Sequence, residues 1–201
     1  MDFRTRVQID KSDVRIDHTT KMMLFGSCFS ENIGNKFKEH KFKVDPNPFG
    51  ILYNPISISN SIKRLLDTKQ FNDTELASNN EMYHSFMHHG SFSDVDEQLC
   101  LKRINERYNS ALNFLKGTDV LLITFGTAYA YKLHNTQQIV NNCHKFPANK
   151  FERFRLSINE IVEEWCELIK ELINQNSGIR FMFTVSPIRH FRDGAHDNQI
   201  S

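Results

Sequence analysis

The chain has 201 residues, 39% hydrophobic and 24% charged, which is a globular composition rather than a disordered or fibrous one. That length suits one domain over residues 1–201 and excludes two full ones. Lys and Arg number 25 against 24 Asp and Glu, so a formal charge of +1 supplies no global field, and neither nucleic acid nor an anionic membrane is an expected partner.

No apolar run approaches the ~20 residues that cross a bilayer. The opening MDFRTRVQIDKSDVRIDH is charged where a signal peptide is apolar, so a cytoplasmic protein is expected. Cys28, Cys100, Cys143 and Cys166 form no CxxC pair, and a chain of this length in a reducing compartment needs no disulfide. The 17 Phe point to a well-filled interior.

In chain order, residues 22–25 are a short apolar run closed by Gly26. Ile33 and Phe37 then stand one helical turn apart, which reads as strand, tight turn, helix. Residues 41–45 form a candidate second strand before Pro46-Asn47-Pro48-Phe49-Gly50, where two prolines and a glycine argue for a functional loop. From 97 to 116 the apolar positions keep helical spacing, with Gly117 expected as the left-handed residue past the helix end. Val120–Phe125 is a continuous apolar run closed by Gly126, as in a strand buried on both faces of a parallel sheet. Ser157 to Glu160 has the capping-box form, an apolar stripe runs on to Gly178, and residues 179–185 give a third strong strand. Helices alternating with buried strands predict an α/β fold, a parallel sheet covered on both sides with its chemistry at the carboxyl ends of the strands.

Three segments fall at that edge: Gly26-Ser27-Cys28, Gly126-Thr127-Ala128 and Ser186-Pro187-Ile188-Arg189-His190. A nucleophile between a buried strand and a helix is exposed at the sheet edge, and the helix start offers N–H groups to a developing negative charge. Ser27 and Cys28 both sit there; the plainer reading is that Ser27 caps the helix and Cys28 packs as a small apolar group. A nucleophile needs a base. Of nine histidines, His144 in a polar run and His190 past a strand end are the best placed, although a polar-loop histidine is more often structural or solvated. His84 and His88 have metal-ligand spacing only if helical; with Gly90, Ser91 and Ser93 beside them a hydrogen-bonding role is preferred, and no metal or cofactor is expected. No GxxxxGK[ST] or GxGxxG occurs.

The segments FGSCFSENIG (25–34), NPFGILYNPISI (47–58), HHGSFS (88–93), ITFGTAYAY (123–131), VNNCHKFPANKFERFRLSINEI (140–161) and FTVSPIRHF (183–191) resemble, in this order, the bacterial GSCFA-domain proteins, regarded as relatives of the SGNH (GDSL-like) hydrolases. The resemblance implies a three-layer α/β/α sandwich with a flavodoxin-like sheet and a nucleophile after the first strand. It further implies an esterase or acyltransferase acting on a small-molecule or carbohydrate O-acyl ester; the alternative is a non-catalytic binding or assembly module on the same fold. By register Cys28 is the nucleophile and Ser27 takes the place of the usual aspartate. Gly50 is the implied oxyanion donor of the second block and Gly126 with Thr127 forms the third, where the customary asparagine is lacking and Asn142 is a substitute. Arg189 stands beside His190 as a substrate-binding candidate. The Asp-x-x-His block of the relatives is missing: Asp193 and His196 have its spacing but follow SPIRH too early, so the resemblance implies a C-terminally incomplete domain whose chain continues past Ser201.

Overall fold

A computed structural model describes residues 12–186. In chain order the elements are β1 (Lys21–Gly26), α1 (Cys28–Glu39), β2 (Lys43–Pro46), α2 (Pro55–Leu66), β3 (Leu76–Asn79), β4 (Met82–Ser85), α3 (Glu97–Leu115), β5 (Val120–Phe125), β6 (Tyr129–Leu133), β7 (Ile139–Val140), β8 (Phe151–Arg155), α4 (Ile158–Gln175) and β9 (Arg180–Val185). Strands β2, β1, β5 and β9 lie side by side in that order, all parallel, as an α/β sheet flanked by helices. The layout is consistent with a flavodoxin-like sheet.

Continuous apolar runs make this sheet because alternate side chains point to opposite faces and both faces are covered. Met23, Phe25, Leu121 and Ile123 pack on one side with Ile58 and Ile62 of α2, Ile104 and Tyr108 of α3, and Trp165 and Leu168 of α4. Met22, Leu24, Val120 and Leu122 pack on the other, against Ile33 and Phe37 of α1. Each fully buried side chain of this size contributes about 1.5–3 kcal/mol of transfer free energy.

Several boundaries differ from the sequence expectation. Helix α1 starts at Cys28, because Ser27 supplies the cap. Pro46 closes β2 rather than opening a loop; β2 is an edge strand, where a missing N–H costs no ladder bond. Gly117 is not left-handed. The last turn of α3 tightens instead, with Gly117 N–H donating to Phe114 O and Thr118 N–H to Leu115 O. Helix α2 is additional to the expected elements, although Asn54 at its cap and Pro55 in its first turn are start signals. The capping box of α4 is present in both directions between Ser157 and Glu160. Two small antiparallel sheets, β3–β4 and β7–β6–β8, are also additional to the alternating pattern. Among the described residues no helix is long and apolar enough to cross a membrane.

Candidate active site

Strand β1 ends at Gly26, with φ +141°, where a Cβ would lie 2.3 Å from the backbone oxygen of Thr124 on the neighbouring strand. Only glycine lets β1 and β5 stay paired through this point. Ser27 then caps α1: it is buried, and its Oγ accepts from the Phe29 N–H at 3.3 Å. Cys28 is the first helical residue and its thiol is exposed. Among the described residues the N–H groups of Cys28 and Ser30 have no acceptor, as expected of a helix's first turn. Ser30 turns its hydroxyl inward to Phe25 O and to Thr124 Oγ1 at 2.9 Å, which in turn meets Thr184 Oγ1 at 2.8 Å. A buried hydroxyl chain thus fixes the first turn of α1 to the sheet.

The loop after β2 is tied to the same turn. Asn47 is buried with φ +44°, a conformation asparagine tolerates. Its Oδ1 accepts from Gly26 N–H at 2.9 Å and its Nδ2 donates to Glu31 at 2.9 Å. Gly50, at φ +83°, lies so close to His89 that a Cβ would approach the His89 Cβ to 2.3 Å. Its own N–H is engaged, donating to Asn47 O at 2.8 Å. The N–H groups of Gly126 and Thr127 are engaged as well, both donating to Tyr53 O, at 2.7 and 3.2 Å. The Tyr53 ring is half-exposed and packs against Gly126. Burial first, and then a thiolate at Cys28, push its phenol above the usual tyrosine range. Neither Asn47 nor Tyr53 is a candidate on sequence grounds; the polar residue in a Pro-rich loop signals Asn47, and no local pattern signals Tyr53.

His144 and Asn142 belong to a different group. His144 has φ +47°, its Nε2 meets Ser85 O at 2.8 Å, and its ring stacks on His84 at 4.5 Å. Asn142 Oδ1 accepts from His144 N–H at 2.8 Å, so these two candidates are brought together with β4 and its hairpin. His84 lies in β4 and His88 in the turn after it, so the pair is not on a helix. His88 stacks on Phe49 at 4.8 Å and meets Ser85 Oγ at 2.9 Å. Burial above all, with His144 and Arg64 adding to it, lowers His88 to about 3, and burial lowers His144 to about 4. Among the described residues no hydrogen bond joins a histidine to Ser27 or Cys28. His190 and Arg189 lie outside the described residues, as do Asp193 and His196. Of the other thiols, burial pushes Cys143 up to about 11 and raises Cys100. The described residues contain no group of three or more His, Cys, Asp or Glu side chains that could hold a metal ion.

The exposed Cys28 thiol thus opens a helix at the carboxyl edge of a parallel sheet, the edge where α/β folds commonly bind ligands. The chain belongs to the GSCFA family, whose sequence model matches residues 21–201. No curated protein and no solved structure matches it.

Proposed function

We propose that this protein is an acyl-ester hydrolase or acyltransferase of SGNH-like design, with Cys28 as its nucleophile. The observation that carries this reading is the exposed Cys28 thiol at the first position of α1, with its own N–H and that of Ser30 unengaged among the described residues. Attack of the thiolate on an acyl carbon places the developing oxyanion where helix-start N–H groups and the positive end of the helix dipole act on it. Such donors are commonly worth a few kcal/mol each. Collapse of the tetrahedral adduct breaks the ester C–O bond, the alcohol leaves with a proton from the base, and a thioester remains. Water, or a second hydroxyl in the transferase case, then attacks the thioester and returns the thiol.

Ser27 is the weaker candidate because its Oγ already serves the Phe29 amide and is buried. His190 is assigned as the base. Ser186 N–H donates to Phe125 O at 2.7 Å, so the chain leaves the sheet at the edge that carries Cys28. A cytoplasmic setting would keep the thiol reduced.

A second reading, a binding or assembly module on the same fold, draws support from the engaged N–H groups of Gly50, Gly126 and Thr127. Short-chain acyl esters separate the two. We expect parent protein to hydrolyse p-nitrophenyl acetate and to gain the mass of one acetyl group at Cys28. Cys28→Ala should lose turnover by at least ~100-fold, whereas Ser27→Ala should keep turnover and lose about 1 kcal/mol of stability as a lost cap. Equal turnover in parent and Cys28→Ala refutes the nucleophile; no turnover across an ester panel favours the binding module.

A further inference from the structure

Beside the α1 turn lies a cleft of about 540 Å³, walled by α1, by β2 with its following loop, by the turn that carries His89, and by α3. Its size falls within the ~300–1,000 Å³ range of ligand pockets. Its chemistry is specific. Arg107 and Lys38 balance Glu31 and Asp45, so the cleft carries no net charge from these four groups. The Arg107 guanidinium is spent internally: Nη1 donates to Asp45 Oδ2 at 3.1 Å, and Nη2 to Asp45 Oδ1 at 2.5 Å and to Pro46 O at 3.2 Å. It has no fork left to offer a phosphate or carboxylate. Glu31, by contrast, gives only one oxygen to Asn47 and keeps the other without a described donor. A carboxylate lining a cleft accepts hydroxyl protons, and beside Lys38 it leaves no surplus of positive charge to draw an anion.

His89, Ser91 and Ser110 line the same cleft. Ser91 N–H donates to His89 Nδ1 at 3.2 Å, so in the neutral ring the proton is on Nε2, which donates to no described group. The Ser110 hydroxyl of α3 stands on the same cleft, and Phe92 and Ile51 supply apolar wall. With its described charges balanced, and with an acceptor, separate donors and an apolar face, the cleft suits a ring bearing several hydroxyl groups rather than an anion or a lipid chain.

The cleft and the thiol share helix α1. Glu31 and Cys28 are one turn apart on α1, and Asn47 holds both Glu31 and the Gly26 amide just before the nucleophile turn. We propose that this cleft binds the neutral, polyhydroxylated alcohol part of the ester, a sugar-like ligand, while its acyl group lies at Cys28. The proposal rests on the acyl-ester reading for the fate of the ligand, but binding at the cleft does not depend on turnover.

The test therefore uses the full chain carrying Cys28→Ala, titrated with N-acetylglucosamine and cellobiose, and separately with inorganic phosphate and glucuronate, while backbone amide NMR shifts are followed. The neutral sugars should shift the amides of Glu31, Asn47, Ser91 and Ser110 at millimolar concentration, and the two anions should not. Ser110→Trp, on an exposed helix position, should fill the cleft and abolish these shifts; Glu31→Gln, the milder change, should weaken sugar binding about tenfold. Shifts by phosphate or glucuronate in place of the sugars, or no shifts at these amides with any neutral sugar, overturn the proposal. Sugar binding with inactive Cys28 chemistry leaves the cleft standing and removes the enzyme; turnover without sugar shifts does the reverse.

Discussion

The turns after β1 and β5 leave the same sheet edge, one strand apart, each at a glycine, yet they use their backbone donors in opposite ways. After β1 the chain enters a helix at once, so among the described residues the amides of Cys28 and Ser30 stay unengaged and point with the helix dipole. After β5 the chain enters β6, an antiparallel strand, and the Gly126 and Thr127 amides close on Tyr53 O. A strand ending in glycine therefore marks where chemistry can sit. The element entered after the glycine, helix or strand, decides whether donors are left for it.

A substitution at Gly26 would disturb this contrast most severely. Gly26→Val would force a side chain into the 2.3 Å approach to Thr124 O at a φ of +141°, and we expect a loss of at least ~3 kcal/mol by chemical denaturation. Parent-like stability would mean that β1 and β5 do not meet as described. A second effect comes with acid, and it should separate the histidine hairpin from the sheet edge. His88 and His144 are held neutral in the fold, at about 3 and about 4, while an unfolded histidine titrates near ~6.5. The unfolded chain thus binds more protons below ~6.5, so the stability they confer is complete above that pH and declines as pH falls toward the folded values. Between about pH 7 and about pH 5 the denaturation midpoint should drop, and amide exchange should quicken at Asn141 and His88 before β1 and β5. A flat profile across that window contradicts the buried, neutral assignment. The smallest effect is expected for Gly126→Ala. Its new Cβ would meet the half-exposed Tyr53 ring at 3.1 Å and the Tyr53 backbone oxygen and Cα at 3.3 and 3.4 Å, approaches that a shift of a few tenths of an ångström relieves, and the unfolded chain loses entropy, so stability should change by less than ~1 kcal/mol either way. A loss as large as that of Gly26→Val would show that both turns are equally rigid.

The parallel sheet is legible in the chain because each strand is an apolar run of the right length and each long helix repeats its apolar positions every three or four residues. Val120–Phe125 matches its expected bounds, and α3 starts where the spacing begins. Gly117 departs from expectation because a helix has two ways to end, and tightening into three-residue bonds leaves no trace in composition. The short strands β6, β7 and β8 are not legible, since their pairing is a long-range matter of register. The site divides in the same way. Cys28 and Ser27 can be placed from the chain alone, because a strand and a helix adjoin there. His144 cannot: its partner Ser85 is 59 residues away in sequence. Tyr53 escapes local reading for the same reason, since its carbonyl meets Gly126 and Thr127 only in the folded chain.

Asn47 carries a consequence for how the protein ages. Loss of its amide nitrogen would put a carboxylate where Nδ2 now donates to Glu31 at 2.9 Å, turning a hydrogen bond into a repulsion in the wall of the cleft. Spontaneous deamidation of asparagine runs through attack by the next residue's backbone nitrogen on the side-chain carbonyl. The next residue is Pro48, whose nitrogen carries no hydrogen, and the Asn47 amide is shielded by burial and by its bond from Gly26. The order Asn-Pro, rather than Asn-Gly, gives this part of the molecule a long chemical shelf life.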